Sequence, residues 1–220
     1  MPPISKAQEA PTARSLHSGV GLEAVSGDAK ITRRSHNRLP RLLDEAARVF
    51  ALRGFVAASV REIVEPVGML PGSLYYHFET KEDLLVAVYR EGVRRLSVKV
   101  DDATLQLREP WARLEAACVA HLSALLDRTD YSRVVIRIRP DDAPLVAAEL
   151  TMLRDSYEQR FVALIDELPL PRSVERRDLR LMLMGSLNWS QTWFREDGAL
   201  SPEEIARRFV RLLKTSLLEP

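Results

Sequence analysis

The stretch Ser59-Val60-Arg61-Glu62-Ile63-Val64-Glu65-Pro66-Val67-Gly68-Met69-Leu70-Pro71-Gly72-Ser73-Leu74-Tyr75-Tyr76-His77-Phe78 holds two short helical patterns separated by a glycine. Ile63 and Val67 share one face of the first, and Gly68 ends it. Pro66 removes a backbone donor and clashes with the preceding turn, so a helix over 60–67 is expected to be short or bent there. Pro71 suits the first turn of the second helix, where its missing N–H costs nothing. Leu74 and Phe78, four apart, are expected to face the core, leaving Ser73, Tyr75, Tyr76 and His77 around the remaining surface. Aromatics are more cheaply used in burial, so exposing them beside Gly72 calls for a reason. Tyrosine hydroxyls and an imidazole can hydrogen-bond phosphate oxygens while their rings lie on sugars, and a glycine permits close backbone approach. The alternative is that the tyrosines are half-buried packing residues.

Upstream, Leu39, Leu42, Leu43, Ala46, Val49 and Phe50 recur at three- and four-residue spacings, and Gly54 follows as a stop. They predict a helix over 38–53. Downstream, Thr80 with Asp83 three residues on has the form of a capping box, and a helix is expected over 81–98. Lys81, in its first turn, could add a charge at a further phosphate. Helix, short helix, turn and second short helix form a helix-turn-helix, which lays its last helix in the major groove of DNA.

The 220 residues carry a net charge of only +1, which by itself argues against a polyanionic partner. The distribution is uneven: −1 over residues 1–29, +5 over 30–100 and −3 over 101–220. The basic segment coincides with the helix-turn-helix. Residues 1–30 are rich in Ala, Ser, Pro and Gly without apolar periodicity, and a flexible arm is expected over 1–34, with Arg33 and Arg34 available to the minor groove. Cys118 is the single cysteine, which excludes an internal disulfide framework. No uncharged run approaches the length of a spanning helix, and a cytoplasmic protein without membrane association is expected. Phosphate loops, His-Glu-x-x-His, Gly-x-Ser-x-Gly and Cys-x-x-Cys are all absent, so no catalytic residue, metal site or cofactor is assigned.

Beyond residue 100 no alternating run or hairpin signal occurs, and helices are expected at 110–127, 131–139, 144–168, 174–194 and 202–217. Ser201-Pro202-Glu203-Glu204 combines a cap, proline at the first position and first-turn acids. Trp189 and Trp193, four apart, are placed on one face of the fourth of these helices. Cys118 and His121 are read as core-lining residues.

The stretches Arg41-Leu42-Leu43-Asp44 through Phe50, Arg53-Gly54-Phe55, Ser59-Val60-Arg61-Glu62-Ile63, Gly68, Gly72-Ser73-Leu74-Tyr75-Tyr76-His77-Phe78 and Lys81-Glu82-Asp83-Leu84-Leu85 together resemble the N-terminal domain of TetR-type transcriptional regulators. The resemblance implies an all-α homodimer, with a three-helix DNA-binding head and a C-terminal helical domain for ligand binding and dimerisation. Carried over by position, Ser59 and Arg61 would touch the DNA backbone or a base edge. Gly72, Ser73, Tyr75, Tyr76 and His77 would form the recognition surface, and Lys81 would hold a phosphate. Leu70 and Pro71 depart from the Ser cap and Lys usual in the family, and Pro66 replaces a common Ala.

Gly185-Ser186-Leu187-Asn188-Trp189, Trp193-Phe194-Arg195 and Leu200-Ser201-Pro202-Glu203-Glu204-Ile205 resemble a sub-branch associated with sterol and fatty-acid breakdown that senses acyl-coenzyme A thioesters. On this reading the arm at 1–34 precedes a DNA-binding domain at 35–82 and an effector and dimerisation domain at 83–220. Aromatics Tyr157, Phe161, Trp189 and Trp193 would line an apolar cavity, and Arg133 and Arg137, with Arg176, Arg177 and Arg180, would meet phosphates. The family pairs its last two helices across a two-fold axis, which places Phe209 and Leu212 at the dimer interface. The expected function is a repressor that binds a pseudo-palindromic double-stranded DNA operator and is released by a small effector. A neutral hydrophobic or aromatic ligand is the alternative effector. A helical enzyme and a helical interaction protein that does not bind DNA are the rival classes.

Overall fold

The computed structural model describes residues 38–218, so the arm expected over 1–34 lies outside the described residues. The described residues form nine α-helices and no strand. α1 (Leu39–Ala57) buries Leu42, Ala46, Val49 and Phe50, the 3.6-residue stripe read from the sequence. Its helical geometry breaks at Gly54, where φ is +75°. A side chain is disfavoured at that φ, so the predicted stop is a kink after which one further turn forms.

α2 (Val60–Val64) begins at Ser59, whose hydroxyl accepts from the Glu62 N–H while the Glu62 carboxylate accepts from the Ser59 N–H. Pro66 then tightens Glu65–Val67 into a 3₁₀ turn, and Gly68 at φ +68° turns the chain away. α3 is Pro71–Leu74, a single turn that closes when the His77 and Phe78 N–H groups donate to the Leu74 carbonyl. Tyr75, Tyr76 and His77 follow it in a turn.

α4 (Lys81–Thr104) has the Thr80–Asp83 capping box and overruns its expected end at 98. Its 24 residues make a rod about 36 Å long. Asp101 and Asp102 lie near the negative end of the helix dipole, which disfavours them there. Burial of Val100 and the bidentate grip of Arg160 on Asp101 carry the helix past them. α5 (Pro110–Leu126), α6 (Asp130–Arg137) and α7 (Ala147–Asp166) follow, capped at Glu109 and Thr129 in the first two cases. Pro144–Val146 is a separate 3₁₀ turn, not the start of α7.

α8 (Arg176–Trp189) is shorter at both ends than the expected 174–194 and gives way to a 3₁₀ turn over Ser190–Thr192. Trp193 is therefore off the helix, and the shared helical face expected for Trp189 and Trp193 does not form. α9 (Pro202–Leu218) starts with reciprocal Ser201 and Glu204 bonds. α1 to α3 pack together around Phe50, Ile63 and Leu74 as a head, and α4 runs on from it to pack against α5, α6 and α7. α9 lies along α5, and α1 contacts α6. No helix among the described residues is long and apolar enough to cross a membrane.

Candidate nucleic-acid interface and effector domain

The head displays its polar aromatics because Leu74, wholly buried, anchors a helix too short to bury anything else. Tyr76 is 82% exposed, well beyond a half-buried packing residue, while Tyr75 is 55% exposed. The Tyr76 and His77 rings meet edge to face at 5.5 Å. Gly72 and Ser73 are exposed, and a Cβ built on Gly72 would meet nothing within 4 Å. These five residues thus share one surface, at the N-terminal side of α4.

The other expected DNA contacts are partly engaged within the chain. Ser59 is exposed but holds the α2 cap. Its hydroxyl and N–H bonds, with Arg53 adding a weaker attraction, keep the Glu62 carboxyl below the usual carboxylate range. Arg61 is exposed and has only a loose pair with Glu65 at 3.8 Å. Lys81 differs most from expectation. Its ammonium donates to the carbonyls of Phe55 at 3.0 Å and Ala58 at 3.1 Å, and lies 4.5 Å from the Phe55 ring centre. In the free protein this cation closes the end of α1 and does not point outward.

The six residues expected at an effector site occupy three settings. Tyr157 and Phe161 on α7 are buried, in an aromatic cluster with His121 of α5. Arg133 and Arg137 are on α6; Arg133 pairs with Asp130 at 3.9 Å and its Nε is buried without a partner, while Arg137 is exposed. Trp189 is 67% and Trp193 46% exposed, and Trp193 sits 6.4 Å from Phe209 of α9. Arg176 caps α7 by donating to the carbonyls of Ile165 and Leu168, and Arg180 pairs with Glu158, so these two cations are occupied.

Sequence reading placed His121 in the core but gave no sign of the network it centres. The ring bridges Tyr157 Oη, 2.7 Å from Nδ1, and Asn188 Oδ1, 3.1 Å from Nε2. An amide oxygen only accepts, so Nε2 carries the hydrogen and Nδ1 accepts from Tyr157. Burial lowers the His121 pKa to about 4, against which the Asn188 bond works, and burial also raises that of Tyr157. This neutral, fully bonded group ties α5 to α7 and α8. Leu181, Met182 and Trp189 of α8, Trp193 beyond it and Leu212 of α9 are exposed apolar residues, and Phe209 of α9 is half-buried beside Trp193.

Comparison with known proteins agrees with this architecture. Residues 42–88 match the family described as bacterial regulatory proteins, tetR family, and residues 107–217 match tetracyclin repressor-like, C-terminal domain. The HTH-type transcriptional repressor KstR2 of Rhodococcus jostii is 28% identical over 193 residues, covering 83% of this chain and 92% of that protein. The HTH-type transcriptional activator FasR of Mycolicibacterium smegmatis is 28% identical over 188 residues, covering 81% and 84%. The crystal structure of AibR in complex with isovaleryl coenzyme A and operator DNA superposes with a TM-score of 0.66 at 26% identity, covering 83% of this chain and 99% of that one. With an N-terminal helix-turn-helix, an all-helical C-terminal domain and both halves matched, the chain belongs to the TetR family of bacterial transcriptional regulators.

Proposed function

We propose that this regulator represses transcription as a homodimer on a pseudo-palindromic operator and is released by an acyl-coenzyme A thioester bound in the domain at 83–220. The observation that carries the DNA reading is the exposed Gly72, Ser73, Tyr75 and Tyr76, with half-buried His77 beside them, on a turn of helix and its continuation that buried Leu74 anchors. Arg61, exposed on α2 beside it, supplies the phosphate cation that Lys81 does not offer in the free protein. The dimer reading is supported by the large apolar side chains that α8 and α9 leave exposed, Leu181, Met182 and Trp189 on the one and Leu212 on the other. AibR, whose solved complex contains isovaleryl coenzyme A, supports the effector class.

A neutral hydrophobic effector is the second reading, favoured by one observation: Arg176 and Arg180, cations that would meet phosphates, are bonded within the chain. The test selects operator fragments from the source genome and titrates the protein–DNA complex with acyl-coenzyme A thioesters, the matching free acids and neutral hydrophobes. Release by thioesters alone is expected; release by free acids or neutral compounds alone would reject the thioester assignment. Tyr76→Ala should weaken operator binding by about tenfold, roughly 1.4 kcal/mol, without a change in thermal stability. Full affinity in that variant would remove Tyr76 from the interface.

A further inference from the structure

Asp44 of α1 is the residue through which, among the described residues, the head is hydrogen-bonded to the helices that follow α4. It accepts from Tyr131 Oη of α6 at 3.0 Å, across 87 positions of sequence. Arg95 of α4 completes the cluster: its guanidinium lies 3.9 Å from the Tyr131 ring centre, 3.5 Å from the same Asp44 oxygen and 2.8 Å from Glu91. Three helices, one from the head, one shared and one from the effector domain, meet at one tyrosine. Tyr131 is buried, and burial together with the Asp44 bond raises its pKa, so the phenol stays a donor.

Two features hold α6 in the position this requires. A Cβ on Gly92 would stand 2.7 Å from Val135 Cγ2 and 3.1 Å from the Tyr131 carbonyl oxygen, so α4 and α6 approach closely there because the residue is glycine. The turn into α6 passes through Arg128 at φ +50°, a left-handed conformation disfavoured for arginine. Beside the cluster lies a cleft of about 360 Å³ bordered by Arg95, Lys99, Thr129, Tyr131 and Ser132.

We infer that Tyr131 is the positioning residue that sets the head against the effector domain, with Asp44 as its receptor on α1 and Arg95 as the clamp. Displacement of α6 then reaches the head through the α1–α6 contact, whose alignment this hydrogen bond fixes. The inference rests on the reading of the chain as a DNA-binding regulator only for its purpose, because the geometry it asserts is measurable without DNA.

The experiment places nitroxides at Val56→Cys on α1 and Met152→Cys on α7, both exposed. Cys118 is buried with its thiol pKa raised, so it does not compete for label. Labelled chain is mixed with excess unlabelled chain, so that pulsed electron–electron distances arise within one protomer. The unaltered cluster should give a single narrow distribution. Tyr131→Phe and Asp44→Ala should each broaden it about twofold, and the double variant should broaden it no further than Asp44→Ala alone, because that change already removes the acceptor of the tyrosine bond. Gly92→Ala should shift the mean distance by pushing α6 off α4. Ile165→Val, a core change away from the cluster, controls for lost stability and should leave the width unchanged. A Tyr131→Phe distribution as narrow as the original, or broadening in the double variant equal to the sum of the singles, would overturn the inference. Operator binding by the unlabelled protein is measured in parallel: its absence would refute the DNA reading while the distances still decide the joint.

Discussion

Lys81 sits in the first turn of α4, yet its ammonium ends on the last carbonyls of α1, and two single substitutions separate the roles this suggests. Lys81→Ala should lower stability by about 1–2 kcal/mol, because charge-assisted bonds to three carbonyls are lost. Arg61→Ala should leave stability unchanged but reduce the dependence of log affinity on log salt by about two per dimer, one for each phosphate contact removed. Thermal melting of both proteins and anisotropy titrations at several salt concentrations check the pair. Gly72→Ala offers a sharper separation. The added methyl meets open space in the free protein and favours the helix by up to about 1 kcal/mol, so the protein should melt no lower. If DNA backbone approaches that atom, operator affinity should nonetheless fall. His121 makes a prediction about acid. Its pKa is about 4 folded and near 6.5 unfolded, so the unfolded state takes up a proton first as pH falls. Stability present above pH 6.5 should be lost progressively down to about pH 4, by on the order of 3 kcal/mol. Urea titrations of His121→Gln across that range should show a flatter limb.

At the level of helices, the local signals were the readable ones. Thr80 with Asp83, Ser59 before Val60, Ser201 with Glu204, and Gly68 all act within four residues, and each forms the cap or turn that its chemistry dictates, while Gly54 kinks α1 without ending it. Where an end depends on packing the sequence misleads: α4 continues through two aspartates because Val100 is buried and Arg160 arrives from α7. α8 stops at Trp189 where the apolar pattern would carry it to Phe194, since a 3₁₀ turn places Trp193 against Phe209. The effector residues were hardest to read for the same reason. Nothing local announces that Tyr157 meets His121 or that Tyr131 meets Asp44, because those partners are 36 and 87 positions apart. α3 is instructive in the opposite sense. Leu70 has the extended backbone of an N-cap but no side-chain oxygen, and it is largely exposed. Leu70→Ser should therefore supply the missing acceptor and raise stability by about 0.5–1 kcal/mol. An unchanged melting temperature would show that this single turn is held by Leu74 alone.

For the whole molecule, the exposed apolar residues of α8 and α9 define the expected two-fold contact. Leu212, 65% exposed, has little to lose within its own chain, so Leu212→Glu should yield a folded monomer by light scattering with greatly weakened operator binding. A dimeric mass in that variant would move the interface elsewhere. The bolt from Lys81 to the end of α1 has a wider meaning for how such a protein is switched. The beginning of α4 is fastened to the end of α1, and Leu74 is wholly buried, so the three helices of the head are expected to travel as one solid piece. On the proposed function, an effector would then re-aim that piece and leave the surface it offers unchanged. Induction would lower the occupancy of every site in proportion: the ranking of strong and weak operator variants, and the ratios between their affinities, should stay the same with effector present, even as all of them fall.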